Sequence, residues 1–534
     1  MTGADRLTPA PPAAGDAYGH ACADAGEPFA AIAETHSAVV FFAGDRAYKL
    51  KKPVDLGFLD FTSQRARAVA CRRETELNRR FAPGVYLGVA EIRGPDGRVC
   101  DHLVVMRRMP AGRRLSALVT ARAPVDGALR QVARALAAWH AAAPRGPQIA
   151  EQGSREALRA RWQANIGQAR DSCGQLLEEA GLGEIERLAG RFTAGRAPLF
   201  AERIRSGRVV DGHGDLLADD IFCLDDGVRI LDCLEFDDRL RWLDGLDDAS
   251  FLAMDLERLG APDLARRFTS WYAEYSGDPA PPSLRHHYVA YRAFVRAKVA
   301  CLRARCGDGQ AAAEAWQLAG MTLAHLRAGA VTLVLAGGLP GTGKTTLAGA
   351  LADRLGFTVL SSDRIRKELA GVPAERRCAA PWGTGIYAAA CTERAYAELL
   401  GRAGRLLGLG ESVIADASFV SPDQRAAATA TAAAAHADLV QLRCTAPAEV
   451  TAQRLATRTG GISDADADIA RRLAAVEAPW PEAVTIDTGQ LSPGTAPAVP
   501  GEPPGAVVQQ AMEAIRPHRP EHVWRPIQPV LLPD

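Results

Sequence analysis

Val331–Thr346 reads VTLVLAGGLPGTGKTT, and the order of its parts decides the fold of the second half of the chain. Val331, Leu333, Val334 and Leu335 make a short apolar run suited to a strand buried on both faces. Gly338-Leu339-Pro340-Gly341-Thr342-Gly343-Lys344-Thr345 then fits G-x-x-x-x-G-K-[ST] at every fixed position. From Thr346 to Leu355 the apolar residues take helical spacing. Strand, glycine loop and helix in that order build a phosphate cradle. Glycines let successive N–H groups point inward, and the start of the helix adds partial positive charge. Lys344 is expected to reach the β- and γ-phosphates and Thr345 to ligate Mg²⁺, with Gly338 through Thr346 lining bound ATP.

Working outward, 534 residues exceed one ordinary core and predict two or three domains. Hydrophobic content of 48% and charged content of 24% describe a globular chain. Lys+Arg and Asp+Glu both number 63, so no global charge draws the chain to nucleic acid or a membrane surface. The eleven cysteines contain no CxxC pair, and their scatter suits reduced thiols in a cytoplasmic protein. No apolar run approaches the roughly 18 residues of a membrane span. Residues 1–26 and 491–534 are rich in Pro and Gly and read as tails, with one short helix over Val507–Ile515. The expected division is a first domain over 27–325 and a second over 326–490. The absence of a long linker predicts firm docking between them.

In the first half, Val39–Phe42 and Ala47–Lys51 read as a hairpin whose return strand puts Lys49 and Lys51 on one face. A helix over Ser63–Phe81 carries Glu74 and Glu76, and strands follow at Leu87–Ile92 and Leu103–Met106. Val209-Val-Asp-Gly-His213-Gly214-Asp215 and Val228–Asp232 then bring two carboxylates to neighbouring strand–loop junctions. Phosphoryl transfer needs that pairing: one carboxylate takes the proton of the attacking hydroxyl, the other holds metal on the phosphates. The many acids between Asp211 and Asp238 predict a surface attractive to a cationic acceptor. Helices are expected over Ser283–Arg305, with Tyr288, Tyr291, Val295, Val299 and Leu302 on its apolar face, and over Ala311–Ala328.

His213-Gly214-Asp215 with Asp232 downstream resembles the aminoglycoside phosphotransferase family, relatives of the protein kinases, over roughly residues 30–325. The resemblance implies Asp215 as catalytic base, Asp232 as Mg²⁺ ligand, and Lys49 paired with Glu74 to steady ATP. Lys51 and Glu76 stay open as alternatives. It also implies an adenine hinge at Leu103–Pro110 and a supporting role for Asp248 beneath the catalytic loop. Two positions depart from the family pattern. Asp220 stands where the second metal ligand is usually Asn, and Leu217 where His is common. Aspartate oxygens can still ligate Mg²⁺.

In the second half, Thr358–Leu360 reads as a strand ending at Ser361-Ser362-Asp363. In small-molecule kinases of the P-loop class, which this stretch resembles, an aspartate at this place faces the acceptor hydroxyl, which implies that role for Asp363. Arg366, three residues on, would share a helix face with it and bind substrate, and Ser362 or Asp363 could equally cap that helix. The strand Ser412–Ala415 ends at Asp416, the Walker B position for Mg²⁺. Arg454 and Arg458 lie four apart on one helix and could close over the phosphates. Ser463-Asp464-Ala465 opens a further helix. This order resembles gluconate-kinase-like and zeta-toxin-like P-loop kinases over about 331–488. The whole chain resembles bacterial proteins joining an aminoglycoside-phosphotransferase-like domain to an AAA-type ATP-binding domain. The resemblance implies a protein-kinase-like α+β domain followed by a three-layer α/β/α P-loop domain with a parallel sheet. It implies a phosphotransferase acting on a small hydroxylated molecule of the sugar or amino sugar class, using ATP and Mg²⁺. The other expectation is that only the P-loop half is catalytic and the first domain binds substrate or effector.

Overall fold

The computed structural model describes residues 28–35, 37–55, 59–173, 176–305, 307–374, 376, 383–457, 466–489 and 505–515. The expected tail 1–26, most of 491–534, Arg458 and Ser463-Asp464-Ala465 lie outside the described residues.

The first domain opens with an antiparallel sheet of β1 (Ala30–Glu34), β2 (Ala38–Ala43), β3 (Arg46–Lys51), β4 (Tyr86–Arg93) and β5 (Val99–Arg107), in the order β1-β2-β3-β5-β4. The turn between β2 and β3 is possible because Gly44 takes φ +56°. The resulting register pairs Val40 with Lys49 and Ala38 with Lys51, which sends both lysines to the inner face. Against that face lies α1 (Gln64–Asn78), opened by Ser63, whose hydroxyl accepts from Ala66 N. Its buried side carries Cys71 and Glu74, while Glu76 is 70% exposed and pairs with Arg73.

A helical lobe follows, with its core around Leu136, Trp162, Ile166, Phe251, Phe268 and Phe294. The helix Pro282–Arg305 departs from its expected one-sided pattern. Tyr288 and Tyr291 are buried as expected, but so is Arg292, while Leu302 is exposed. The reason is position: neighbouring helices pack on several sides of its first half, and the Arg292 charge is met by Asp247 at 2.7 Å.

The second domain is a five-stranded parallel sheet in the spatial order Thr358–Ser361, Val413–Asp416, Thr332–Gly337, Asp438–Thr445, Val484–Asp487. Alternation along the central strand covers both faces, as the expected three-layer fold requires. Leu333 and Leu335 point into a core continuous with the first domain. Val334 and Ala336 point toward the helix Lys344–Leu355. The helix Ala506–Ile515 buries Val508, Ala511 and Ile515 in that same second core. It therefore belongs to the second domain and not to a tail; the Pro/Gly-rich stretch before it hides this in the composition.

The domains dock without a spacer, since the helix Ala311–Ala328 runs straight to the P-loop strand. Apolar contact is continuous through Leu318, Leu326, Leu333 and Phe419. Polar contacts that fix the join include Arg196 Nη1 donating to Ala435 O at 2.7 Å, Ser283 Oγ to Gly410 O at 2.7 Å, Arg191 Nε to His436 O at 3.1 Å, and the Arg191–Asp438 ion pair. No helix among the described residues is long and apolar enough to cross a membrane.

Candidate active sites

In the first domain Glu74 sits between the two strand lysines. Its Oε1 lies 3.0 Å from Lys49 Nζ and its Oε2 2.6 Å from Lys51 Nζ. Each lysine also holds a second acid, Lys49 binding Asp232 and Lys51 binding Glu235. Both lysines thus belong to one buried network, and Glu76 stands outside it. Burial alone would discharge Lys49, but Asp232, Glu74 and Glu235 keep its pKa well above the ordinary lysine value. Asp232 has the mirror balance: burial opposes its charge, and Lys49 holds its carboxyl below the usual range. Its backbone takes the left-handed φ of +62°, unusual for aspartate, and its N–H is met by Tyr86 Oη at 3.1 Å.

The loop at His213–Asp215 is shaped from below by Asp248, on the helix Gly245–Arg258. Its carboxylate accepts from His213 N at 2.7 Å and Gly214 N at 2.9 Å, and contacts His140 Nε2 at 3.0 Å. Gly214, at φ +87°, makes the turn that lets both N–H groups reach it. Burial works against the Asp248 charge, yet these partners hold its carboxyl down at about 2. His213 meets Leu231 O through Nε2 at 2.9 Å, and burial lowers its pKa. Burial raises the Asp215 carboxyl, with Arg296 the strongest opposing charge.

Asp220 is pushed well above the carboxylate range, first by burial and then by Asp232, Asp215 and Asp219. Asp220, Asp232 and Asp215 thus lie near enough for their charges to oppose one another. Among the described residues no group of three acids, histidines or cysteines is placed to hold a metal ion. A Mg²⁺ ion needs fewer protein ligands, since it takes one or two carboxylates and completes its shell from phosphates and water.

The acidic surface expected between Asp211 and Asp238 is mostly neutralised from within. Asp211 is held by Arg80 and Arg241, Asp225 by Arg113, Asp226 by Arg229, and Asp238 by Arg73 and Arg241. Asp215 faces Arg296, but Asp220 still feels the charges of Asp232, Asp215 and Asp219, so negative charge remains at the loop itself.

The second site lies at the carboxyl ends of the parallel strands, where open α/β sheets bind ligands. Gly338, Gly341 and Gly343 take φ of +129°, +83° and +78°. At Gly338 a Cβ would sit 2.4 Å from Cys444 O, so the loop tolerates glycine only. Lys344 Nζ donates to Leu339 O at 2.9 Å, folding over the loop. Thr345 Oγ1 donates to Asp416 Oδ2 at 2.7 Å, joining the cradle to the end of the neighbouring strand.

A cleft of about 900 Å³ opens from this point. Pro340, Lys344 and Thr346 line one side of it, and Asp363 and Arg366 line it too. The capping alternative for Asp363 does not hold: Ser361 is the residue before the first turn, and no side chain caps that helix. Arg366 is nine-tenths buried, donates to Thr392 Oγ1 at 2.9 Å and to Ile386 O at 3.1 Å, and lies over the Tyr387 ring.

Arg454 is drawn onto the loop through Thr488 O at 2.8 Å, so the structure gives it an anchor on the P-loop wall. Thr488, which sequence reading passed over, ties the last strand to the loop by bonding Thr342 O. Its place directly after a strand-end acid is the one signal that could have found it. Glu235 and Lys51 were missed as partners because their contact spans 184 residues.

A family model described as an AAA domain matches residues 333–479. The chain is 46% identical over 468 residues to the uncharacterized protein Rv2004c of Mycobacterium tuberculosis, covering 86% of this chain and 93% of that protein. Among solved structures it is similar to a choline/ethanolamine kinase family protein from Mesorhizobium loti (16% identity, 57% of this chain and 94% of that one, TM-score 0.35). It is also similar to a gluconokinase from Sinorhizobium meliloti (17% identity, 35% and 91%, TM-score 0.23).

Proposed function

The chain belongs to the family of the Mycobacterium tuberculosis protein Rv2004c, and we propose that it is an ATP- and Mg²⁺-dependent phosphotransferase with two nucleotide sites. The acceptor we propose is a small hydroxylated molecule of the sugar or amino sugar class, and the setting is cytoplasmic, with no role for nucleic acid or membrane. One observation carries the reading: the cleft that begins at Lys344 and the Thr345–Asp416 pair also contains an aspartate, Asp363, that caps no helix.

In the P-loop domain, Gly338–Thr346 cradles the phosphates and Lys344 meets the charge that builds on the β- and γ-oxygens. Thr345 and Asp416 would hold Mg²⁺, which would supply further charge neutralisation. Asp363 accepts the proton of the acceptor hydroxyl, whose oxygen attacks the γ-phosphorus as the bond to the β–γ bridging oxygen breaks. Arg366 orients the acceptor, and Arg454 fixes the loop. In the first domain Asp215 takes the base role, Lys49, positioned by Glu74, steadies the phosphates, and Asp220 with Asp232 would hold the metal.

The test is transfer of the γ-phosphoryl group of labelled ATP to a panel of sugars, amino sugars and aminoglycosides, using full-length chains. Lys344→Ala silences one half, and Asp215→Ala with Asp232→Ala silences the other. ATP turnover that persists unchanged in the triple variant refutes the enzyme reading.

A second reading is favoured by the Asp220 carboxyl, which burial and its acidic neighbours push toward the neutral form. Here the first domain binds nucleotide or effector and only the P-loop half transfers phosphate. Mg·ATP binding to the Lys344→Ala chain, with no transfer to any acceptor, supports that reading over the first.

A further inference from the structure

The helix Ala467–Val476 contributes to the wall of the P-loop cleft and buries none of its own residues. It has two unlike faces. Asp468 pairs with Arg471 and Arg472, and both arginines are more than half exposed. Ile469, Leu473 and Val476 follow at intervals of four and three, so they share the other face, and all three line the cleft. Among the described residues none of the three packs into a hydrophobic core of either domain, and Val476 is 59% exposed. An aliphatic stripe that supports no core and borders a ligand site is apolar surface available to the ligand.

The stripe is held in place at its end. Ala478 N donates to Val420 O at 3.1 Å, and Glu477 pairs with Arg443 at 2.9 Å. Val420 and Ala417 come from the loop that follows Asp416, and both line the same cleft. Tyr387, whose ring carries the Arg366 guanidinium, lines it as well. Apolar surface thus reaches the cleft from three separate segments, two of them beside Asp416 and Arg366. The cleft of about 900 Å³ lies near the top of the roughly 300–1,000 Å³ range of small-molecule sites, so it has room for an acceptor that extends beyond one sugar ring.

We propose that the acceptor of the P-loop site is amphiphilic: a hydroxylated body that offers its hydroxyl to Asp363 and carries an uncharged aryl or alkyl arm laid along Ile469, Leu473 and Val476. The proposal rests on the phosphotransferase reading above and narrows its acceptor to a sugar or amino sugar bearing an apolar substituent. Apolar pockets distinguish ligands that differ by one methylene by about 10–200-fold, so an arm of several carbons is expected to tighten binding at least tenfold.

The probe is naphthyl glucoside, with methyl glucoside as the control that lacks the arm. The full-length chain carries Asp215→Ala and Asp232→Ala, so that only the P-loop site reports. With a non-hydrolysable Mg·ATP analogue bound, methyl NMR spectra are expected to show saturable shifts of Ile469, Leu473 and Val476 on adding naphthyl glucoside. Its affinity is expected to exceed that of methyl glucoside at least tenfold, and Leu473→Asp to remove that advantage. Binding of the ATP analogue reports whether the variant is folded, and Val476→Asp, at the more exposed position, replaces it if it is not. The proposal is overturned by equal affinities for the two glucosides, by no saturable binding of either, or by undiminished binding in the variants. Shifts of the three methyl groups that the ATP analogue alone saturates also overturn it, since the nucleotide would then cover the stripe. Phosphoryl transfer to both glucosides with the same KM sinks the arm and leaves the phosphotransferase reading standing. Arm-dependent binding with no transfer to any acceptor counts against that reading and upholds the arm.

Discussion

Replacing Asp248 by asparagine tests how the catalytic loop of the first domain is held. The native carboxylate accepts from His213 N and Gly214 N and contacts His140 Nε2 at 3.0 Å. Holding its pKa at about 2 against the 3.8 of a free aspartate is equivalent to roughly 2 kcal/mol of stability at pH 7. For a depressed carboxyl that stability is fully present above about pH 4 and fades as pH falls through 2. At pH 3 about half of it remains. In Asp248→Asn one oxygen becomes an NH₂ that faces donors, adding an unmet buried donor at about 1–3 kcal/mol. The variant should therefore be destabilised by roughly 3–5 kcal/mol at pH 7, with the gap to the native protein narrowing by about 1 kcal/mol at pH 3. Urea unfolding at the two pH values, followed by tryptophan fluorescence, measures both quantities. A loss under about 1 kcal/mol at pH 7, or a gap independent of pH, refutes the account of Asp248 as the ionised anchor of this loop.

Three further outcomes are expected. Glu74→Gln leaves Lys49 and Lys51 without their shared carboxylate in a buried setting, and should lower stability by about 3–5 kcal/mol in the same unfolding assay. Lys344→Ala should cut P-loop turnover by about 10²–10³, read as labelled phosphate release with the first domain silenced. Gly341→Ala adds a Cβ 2.7 Å from Thr451 Cγ2 at φ +83°, costing about 1–3 kcal/mol locally. It should weaken binding of a fluorescent ATP analogue at least tenfold while leaving nucleotide binding by the first domain unchanged.

The P-loop half was legible because its signals are local. A strand, a glycine loop and a helix stand in sequence over sixteen or so residues, and each has its own periodicity. Asp416 and Asp363 could be read for the same reason, since a strand end fixes where a carboxylate points. The first domain was less legible. Lys49 or Lys51, and Glu74 or Glu76, could not be separated by spacing, because the choice depends on which face of α1 turns toward β3. The structure answers with one carboxylate serving both lysines. The acidic loop misled in part because composition counts charges and cannot see which arginines, near in sequence or far, pair with them. The helix Ala506–Ile515 was legible as a helix but not as part of a core, since nothing in the intervening Pro/Gly stretch says where the chain returns.

The strand that carries the phosphate loop also forms part of the wall between the domains, with Leu333 and Leu335 in the same apolar mass as the helix Ala311–Ala328. Severing the chain near 329 would strip that wall from both pieces at once, baring Leu318 and Leu326 on one and Leu333, Leu335 and Phe419 on the other. The two halves are thus inherited as a single object: neither can be exchanged for a homologous module without re-cutting the surface of its neighbour. Insertions are best tolerated at chain ends that touch neither side of the wall, and sequence drift in Leu333 or Leu335 should be answered by change in the helix Ala311–Ala328.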